Sequence, residues 1–489
     1  MPVGLSFGLV AGALLALTLG ALAAQPLDIG SRKQLFIDDR LIDSMENVTF
    51  TMNPPIKAGT VMVADRPWEG HRIGAYGTVM EDGGVYKLWY DLIDSKGAIH
   101  EAYAMSTDGI RWGKPDLGIV EYEGSKANNL INVEPSGTVF IDPTAPPEQR
   151  YKYVTDHWKV GMFVYWSADG LHWTRNQEVS LPLDPDTQNQ AFYDPRIGKY
   201  VAYLRGWNRM RVVVRCEMDD ILQPWPYQPR GKPFQIWGKD QLPTPSTELP
   251  TVFAADKHDP PNSDFYNPAV VQYPYAQDAY VMFPSAYRHF PEPPAGKYGN
   301  DGLLDIHLAV SRDGIKWSRV SREPYVRLGR AGEPDSGMMY MLVGMLRRGD
   351  ELWQYYFGYD YTHGDYQPTE RKNTGALVRV VQRLDGFVSA DAAYEGGTLV
   401  TKPVIFEGKA LELNIDTAAM GTPRVALLDE QGKELPGHGI ADCDAIGTNS
   451  VAHKVTWKGS AGVSRWAGEP VRVKLEMRAT KLYAMRFVG

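Results

Sequence analysis

One heptapeptide pattern recurs along the chain and constrains the fold more than anything else in it. Ser106-Thr107-Asp108-Gly109-Ile110-Arg111-Trp112, Ser167-Ala168-Asp169-Gly170-Leu171-His172-Trp173 and Ser311-Arg312-Asp313-Gly314-Ile315-Lys316-Trp317 all read S-x-D-G-[IL]-x-W. Each copy follows an alternating segment (HEAYAM, GMFVYW, DIHLAV), as expected of a strand running into a turn. Asp-Gly suits such a turn, because glycine tolerates positive φ and aspartate can accept hydrogen bonds from its own backbone. A fixed turn repeated at wide intervals is the mark of a repeat architecture.

A second pattern lies upstream of each copy: a strand, a turn, then a strand rich in Tyr and Trp. The five pairs are AYGTVM/VYKLWYDL, GTVFID/YKYVTDHW, QNQAFY/KYVAYLRG, YNPAVVQY/DAYVMFPSAY and GMMYMLVGM/ELWQYYFGY. In the third unit RVVVRCEMDD replaces the turn motif, and the fifth closes on ALVRVVQRLDGFVS. Five units of three to four strands predict an all-β chain with a five-bladed β-propeller over residues 30–390. Residues 391–489 lack the turn motif and show short alternating strands (ALELNID, RVALLD, VRVKLEM, KLYAMRFV), which predict a C-terminal β-sandwich.

Composition narrows the function. The 51 Lys and Arg against 59 Asp and Glu leave a net charge of −8, which excludes a nucleic-acid partner because phosphate backbones need clustered basic charge. No run of five Lys/Arg offers a membrane surface patch. Leu9 to Ala23 is a short apolar stretch ending in Ala21-Leu22-Ala23, so residues 1–24 read as a signal peptide and the mature protein as secreted or periplasmic, free of the membrane. Cys216 and Cys443 fall in different expected domains and are predicted to be free thiols. The oligomeric state is left open.

An exported five-bladed propeller with S-x-D-G-x-x-W turns and a C-terminal sandwich resembles the glycoside hydrolases of families 32 and 43. That resemblance implies a glycosidase whose carboxylates converge on the axial funnel from different blades, acting on furanosidic or pentosidic bonds of a polysaccharide or oligosaccharide. Asp194-Pro195-Arg196 is the nearest match to the R-D-P motif of family 32, and Asp-Pro is also ordinary turn chemistry. Two other readings remain open: a carbohydrate-binding propeller without catalysis, and a glycoside phosphorylase.

Glycoside hydrolysis needs one carboxylic acid to protonate the leaving oxygen and a second carboxylate to activate water or attack directly. The starts of the innermost strands, which ring a propeller's cavity, supply the candidates Asp264, Asp335, Asp186, Glu333 and Glu69. Sugar contacts are expected from Trp68, Tyr76, Trp207 and Tyr266 as aromatic platforms. His71, Arg72, Arg205, Asn267 and Arg288 are expected as polar partners. No cofactor is required and no metal-ligand motif is present; an axial Ca²⁺ is compatible with such a propeller, but no motif names its ligands.

Overall fold

The computed structural model describes residues 25–230, 235–236, 239–240, 242–291, 300–365 and 371–489. The expected signal peptide, residues 1–24, lies outside the described residues. The all-β reading holds: 47% of the chain is strand and 2% helical. Among the described residues the helical elements are four 3₁₀ turns of three residues each.

Four four-stranded antiparallel sheets follow one another along the chain. The first comprises Arg72–Asp82, Val85–Ile93, Ile99–Ser106 and Leu130–Ile131; the second Thr138–Ile141, Tyr151–His157, Gly161–Ser167 and Thr174–Arg175. The third comprises Gln190–Asp194, Lys199–Asn208, Met210–Met218 and Thr251–Phe253; the fourth Val270–Gln272, Tyr280–Met282, Ala309–Ser311 and Trp317–Ser318. A fifth set, Met338–Met341, Glu351–Tyr359 and Ala376–Arg383, is completed by Ile56–Val63 from near the N-terminus. It belongs to an eight-stranded sheet that also takes in Ser263–Phe265, Ser285–His289 and Gly302–Ile306.

Hydrogen bonds at or near the inner strands link one set to the next. The Val139 N–H donates to Thr78 Oγ1 (3.1 Å) and Thr138 Oγ1 to the Asn189 carbonyl (2.8 Å). The Gln190 amide exchanges two bonds with Val270, at 2.6 and 2.7 Å. Ser285 Oγ donates to the Met339 carbonyl (3.0 Å), and Val343 N–H to the Gly77 carbonyl (3.0 Å), which returns the series to the first sheet.

The repeated heptapeptide explains itself once these sets are side by side. In each copy the serine Oγ accepts the glycine N–H at 2.8–2.9 Å, and the aspartate Oδ1 accepts the next two N–H groups at 2.7–2.9 Å. The three glycines hold φ of 71°, 79° and 71°, which disfavours any other residue. Each glycine carbonyl then accepts a bond from an aromatic of a neighbouring set: Tyr355 on Gly109 (2.8 Å), Trp89 on Gly170 (2.7 Å) and Tyr203 on Gly314 (2.7 Å). The motif is therefore a clip between sheets. Its aspartates Asp108, Asp169 and Asp313 are turn residues.

Apart from the short pair Gln235–Ile236 and Lys239–Asp240, the remaining strands form two six-stranded sheets. Leu411, Leu413 and Ile415 of one sheet and Val471, Val473 and Leu475 of the other share one buried apolar cluster. The strands Leu27–Gly30, Gln34–Leu35, Ile42–Glu46 and Val48–Met52 also pair here, as with Ile42 opposite Thr401 and Ala392 opposite Val48. The sequence reading begins the repeat region at residue 30, whereas residues 27–52 pair with the C-terminal strands. Cys216 and Cys443 are buried free thiols.

Candidate active site

In each antiparallel meander, the start of the first strand, the end of the second and the start of the third share one edge. The S-x-D-G turns occupy the opposite edge. The polar residues gather on the first of these edges: Arg72, Asp91 and Glu101 from the first sheet, Asp156 from the second, and Arg205 and Arg211 from the third.

Two backbone irregularities aim side chains inward. The register of Arg72–Asp82 slips between Ile73 and Gly77, with Gly74 at φ 73° and Ala75 at φ 134°. A Cβ on Gly74 would lie 2.1 Å from the Phe357 ring, so the bulge depends on glycine. The Tyr76 N–H donates to Asp91 (2.9 Å), and the Tyr76 hydroxyl accepts from Thr187 Oγ1 (2.7 Å). Thr187 follows Asp186, and both hold positive φ (64° and 49°), a costly state for non-glycine residues and most of all for β-branched threonine. Gln188 Nε2 donates to the Gly77 carbonyl at 3.1 Å, and Asn189 Oδ1 accepts the Arg205 N–H at 2.9 Å. The loop 184–189 is thus held against three sheets.

Aromatic rings form the body of the cluster. The Tyr266 ring lies 5.5 Å from Tyr340, 6.0 Å from Tyr287 and 5.1 Å from His363, and Tyr340 lies 5.8 Å from Tyr76. The guanidinium groups of Arg205 and Arg211 sit 5.0 and 4.8 Å from the Tyr266 ring centre, and Arg72 sits 5.7 Å from that of Tyr359. Burial pushes the His363 imidazole down to about 4, helped by the charges of Arg211, Arg205 and Arg72. His363 is therefore neutral at pH 7.

The carboxyls around this body fall into distinct states. Asp156 is driven well above the carboxylate range, by burial first and then by the charges of Asp184 and Asp186. Asp184 is raised too, by burial first and then by the Asp186 charge, while its neighbour Asp156 works the other way. Asp156 Oδ1 and Asp184 Oδ1 are both buried without a hydrogen-bond partner. Asp186 is different: its side chain is 60% exposed and ion-paired with Arg205. Asp91 and Glu101 stand opposite each other on adjacent strands, both buried. Burial raises both, and the Asp91 charge raises Glu101 further. Burial works against the charge of Asp264, but hydrogen bonding from His289 and the Arg211 charge outweigh it and hold its carboxyl below the usual range.

Among the residues expected from sequence, the structure connects Asp186, Arg205, Tyr266, Asp264 and Tyr76 through these contacts. Arg72 faces the same rings, and Trp207, 48% exposed, lies under Arg211 at 5.3 Å. Asn267 is fully buried beside Tyr266. The others have separate partners. Asp335 accepts from Lys57 Nζ and the Tyr356 hydroxyl, both at 2.5 Å. Glu69 accepts the Asp65 and Arg66 N–H groups (2.9 and 3.0 Å), the Tyr90 hydroxyl (2.9 Å) and Lys114 Nζ (2.8 Å). Those bonds fix a loop. Glu333 is exposed and caps its own turn at the Arg330 N–H (2.9 Å). Trp68 Nε1 donates to Asn129 (2.8 Å), His71 Nδ1 lies 2.7 Å from the Arg371 carbonyl, and exposed Arg288 donates to the Pro261 carbonyl (2.5 Å). Asp194 accepts from Arg196 N–H and Gln272, each at 3.0 Å, as a turn residue.

Sequence reasoning missed Asp156, Asp91, Glu101, Arg211 and His363. The three acids lie on second and third strands, and a usable signal was present: a lone acid inside an otherwise buried segment, as in VTDHW, WYDL and HEAY. Among the described residues no group of three His, Cys, Asp or Glu is placed to hold a metal ion. Clefts of about 520 and 820 Å³ lie elsewhere, lined by Glu46, Arg424 and Glu476 and by Arg40, Arg196 and Tyr275.

No protein-family model matches the sequence, and no curated protein matches it. The chain is similar in structure to solved glycoside hydrolases at low identity. One, a glycosyl hydrolase from Bacteroides ovatus, is 14% identical with a TM-score of 0.41, over 74% of this chain and 99% of that one. Another comes from work on mannoside phosphorylases of family GH130 that include hydrolases of β-1,2 mannosidic linkages in Candida mannan (15%, 0.41, 73% and 99%). A third is an N-acetylgalactosamine deacetylase from F. plautii (14%, 0.39, 73% and 95%). Overlaps of this size assign no activity, which has to be argued from the side chains.

Proposed function

We propose that the protein is a carbohydrate-active enzyme, an exported glycoside hydrolase. In this reading the five strand sets are the blades of a propeller and the two six-stranded sheets form a β-sandwich that includes residues 27–52. The clustered edge is then the mouth of the axial funnel. One observation carries the proposal: Asp156 and Asp184, each with a buried carboxyl oxygen, stand beside Asp186, which is ion-paired with Arg205, and burial and these neighbouring charges raise Asp156. Pairs of titratable groups pushed apart by their surroundings are how one site runs acid and base chemistry together.

In the proposed reaction Asp156 gives its proton to the glycosidic oxygen as the C–O bond breaks, the electron pair staying on that oxygen. Asp186 takes a proton from the water whose oxygen bonds to the anomeric carbon. The proton gained by Asp186 then passes through water back to Asp156, and the charge of Asp184 favours that return, since two close carboxylates resist ionising together. Arg205 fixes the base. Exposed Trp207 offers a face for the C–H surface of a sugar ring.

A second reading has its own observation. The arginines around Tyr266 could hold inorganic phosphate, which would make the enzyme a glycoside phosphorylase. Incubation with furanosides, pentosides and polysaccharides, neutral and acidic, with and without phosphate, separates the readings. Sugar released without phosphate supports hydrolysis. Release only with phosphate supports phosphorolysis, and binding with no release leaves a lectin-like propeller.

A further inference from the structure

The arginines beside Tyr266 are under-used. Arg205 and Arg211 are only 6% and 7% exposed, yet Arg205 Nη1 and Arg211 Nε have no acceptor. Asn267, next to Tyr266 and fully buried, has neither amide atom bonded. A buried donor left unmade costs about 1–3 kcal/mol, and more for a charged group. Two buried guanidinium groups over one ring, each with open hydrogen-bonding capacity, therefore describe a seat for a ligand. The Asp186 and Asp264 carboxylates each already answer one guanidinium. The open donors belong to delocalised cations with a planar fork, the geometry that matches an oxyanion better than a single hydroxyl.

We infer that the sugar entering this funnel carries an anionic substituent, a carboxylate or a sulfate, seated against Arg205 and Arg211. The inference rests on the carbohydrate reading above. It places the anion on the sugar, because a phosphorylase uses phosphate itself as nucleophile and needs no base, whereas Asp186 is built into the pair with Arg205. Arg72, across the tyrosine rings, adds a third positive charge facing the same space.

The test is binding by the intact wild-type protein, followed through fluorescence of half-exposed Trp207. The probes are glucuronate and galacturonate, glucose 6-sulfate, neutral glucose and galactose, and sodium sulfate and phosphate alone. At least tenfold tighter binding of one acidic class over the neutral sugars is expected, weakening as salt rises, and the preferred class tells carboxylate from sulfate. Arg211→Lys keeps a charge for Asp264 but not the fork, and is expected to lose at least tenfold of that preference. Equal binding of neutral and acidic sugars overturns the inference and leaves the glycosidase reading standing. Inorganic anions binding where no sugar does overturns both. Should Arg211→Lys fail to fold, the wild-type preference and its salt dependence decide alone.

Discussion

Replacing Asp156 by asparagine changes one property and little else. The amide has the volume of the carboxyl, and its N–H can donate to the neighbouring Asp184, so the fold should survive. What disappears is the transferable proton. Loss of a general acid costs 10²–10⁴-fold in rate, or about 3–5 kcal/mol of barrier. The structure also fixes a pH signature. Burial and the neighbouring carboxylates raise Asp156 in the folded chain, while in the unfolded chain it returns to about 3.9. Between those two values the folded protein holds a proton that the unfolded chain has released, so this group's contribution to stability is largest at low pH and declines as pH rises through the window. In Asp156→Asn that decline is absent. The assays are kcat/KM from pH 4 to 9 and urea unfolding over the same range. The wild type should show an alkaline limb in activity from loss of the Asp156 proton, and the variant a residual rate without that limb. A variant keeping more than a tenth of the wild-type rate, with the alkaline limb in place, would refute the assignment of Asp156 as the acid.

Other substitutions test separate parts. Asp186→Asn should lose 10²–10⁴-fold in rate, with partial recovery on adding sodium formate as an external base, whereas Asp335→Asn should keep most activity and lose stability to urea because its partners are Lys57 and Tyr356. Gly74→Ala drives a Cβ into Phe357 and should cost about 1–3 kcal/mol in unfolding free energy, with KM rising as Tyr76 shifts. Gly170→Ala, whose Cβ would lie 2.8 Å from Trp89, should destabilise with kcat unchanged, because the clip is far from the funnel edge. His363, down at about 4 when folded and near 6.5 unfolded, binds fewer protons folded than unfolded between those values. Its contribution is therefore full above pH 6.5 and lost as pH falls toward 4, and His363→Gln should flatten that acid loss, which is up to about 3 kcal/mol.

The repeated turns were legible because their bonds are local: Ser to Gly three residues on, Asp to the next two N–H groups. The bonds that make them clips were not, since Tyr355 and Gly109 are 246 residues apart. The same distance problem hides the N-terminal strands, whose partners such as Thr401 lie 359 residues away from Ile42. For the site, the sequence pointed to the start of each first strand and so reached Asp186, Asp264 and Tyr266. It passed over Asp156 because nothing in VTDHW tells that Asp184 and Arg205 will stand beside it. The roles of Glu69 and Asp335 are equally invisible in sequence, being set by Lys114 and Lys57 from distant segments.

The central claim is that water, with Asp156 and Asp186, breaks a glycosidic bond in the funnel. The direct measurement is mass spectrometry of the products formed from the neutral and acidic furanosides, pentosides and polysaccharides in ¹⁸O-labelled water without phosphate. One ¹⁸O at the anomeric position of each released sugar, formed by the wild type and at least a hundredfold more slowly by Asp156→Asn, is the predicted result. No cleavage of any member of the panel, or cleavage that Asp156→Asn matches, would contradict it.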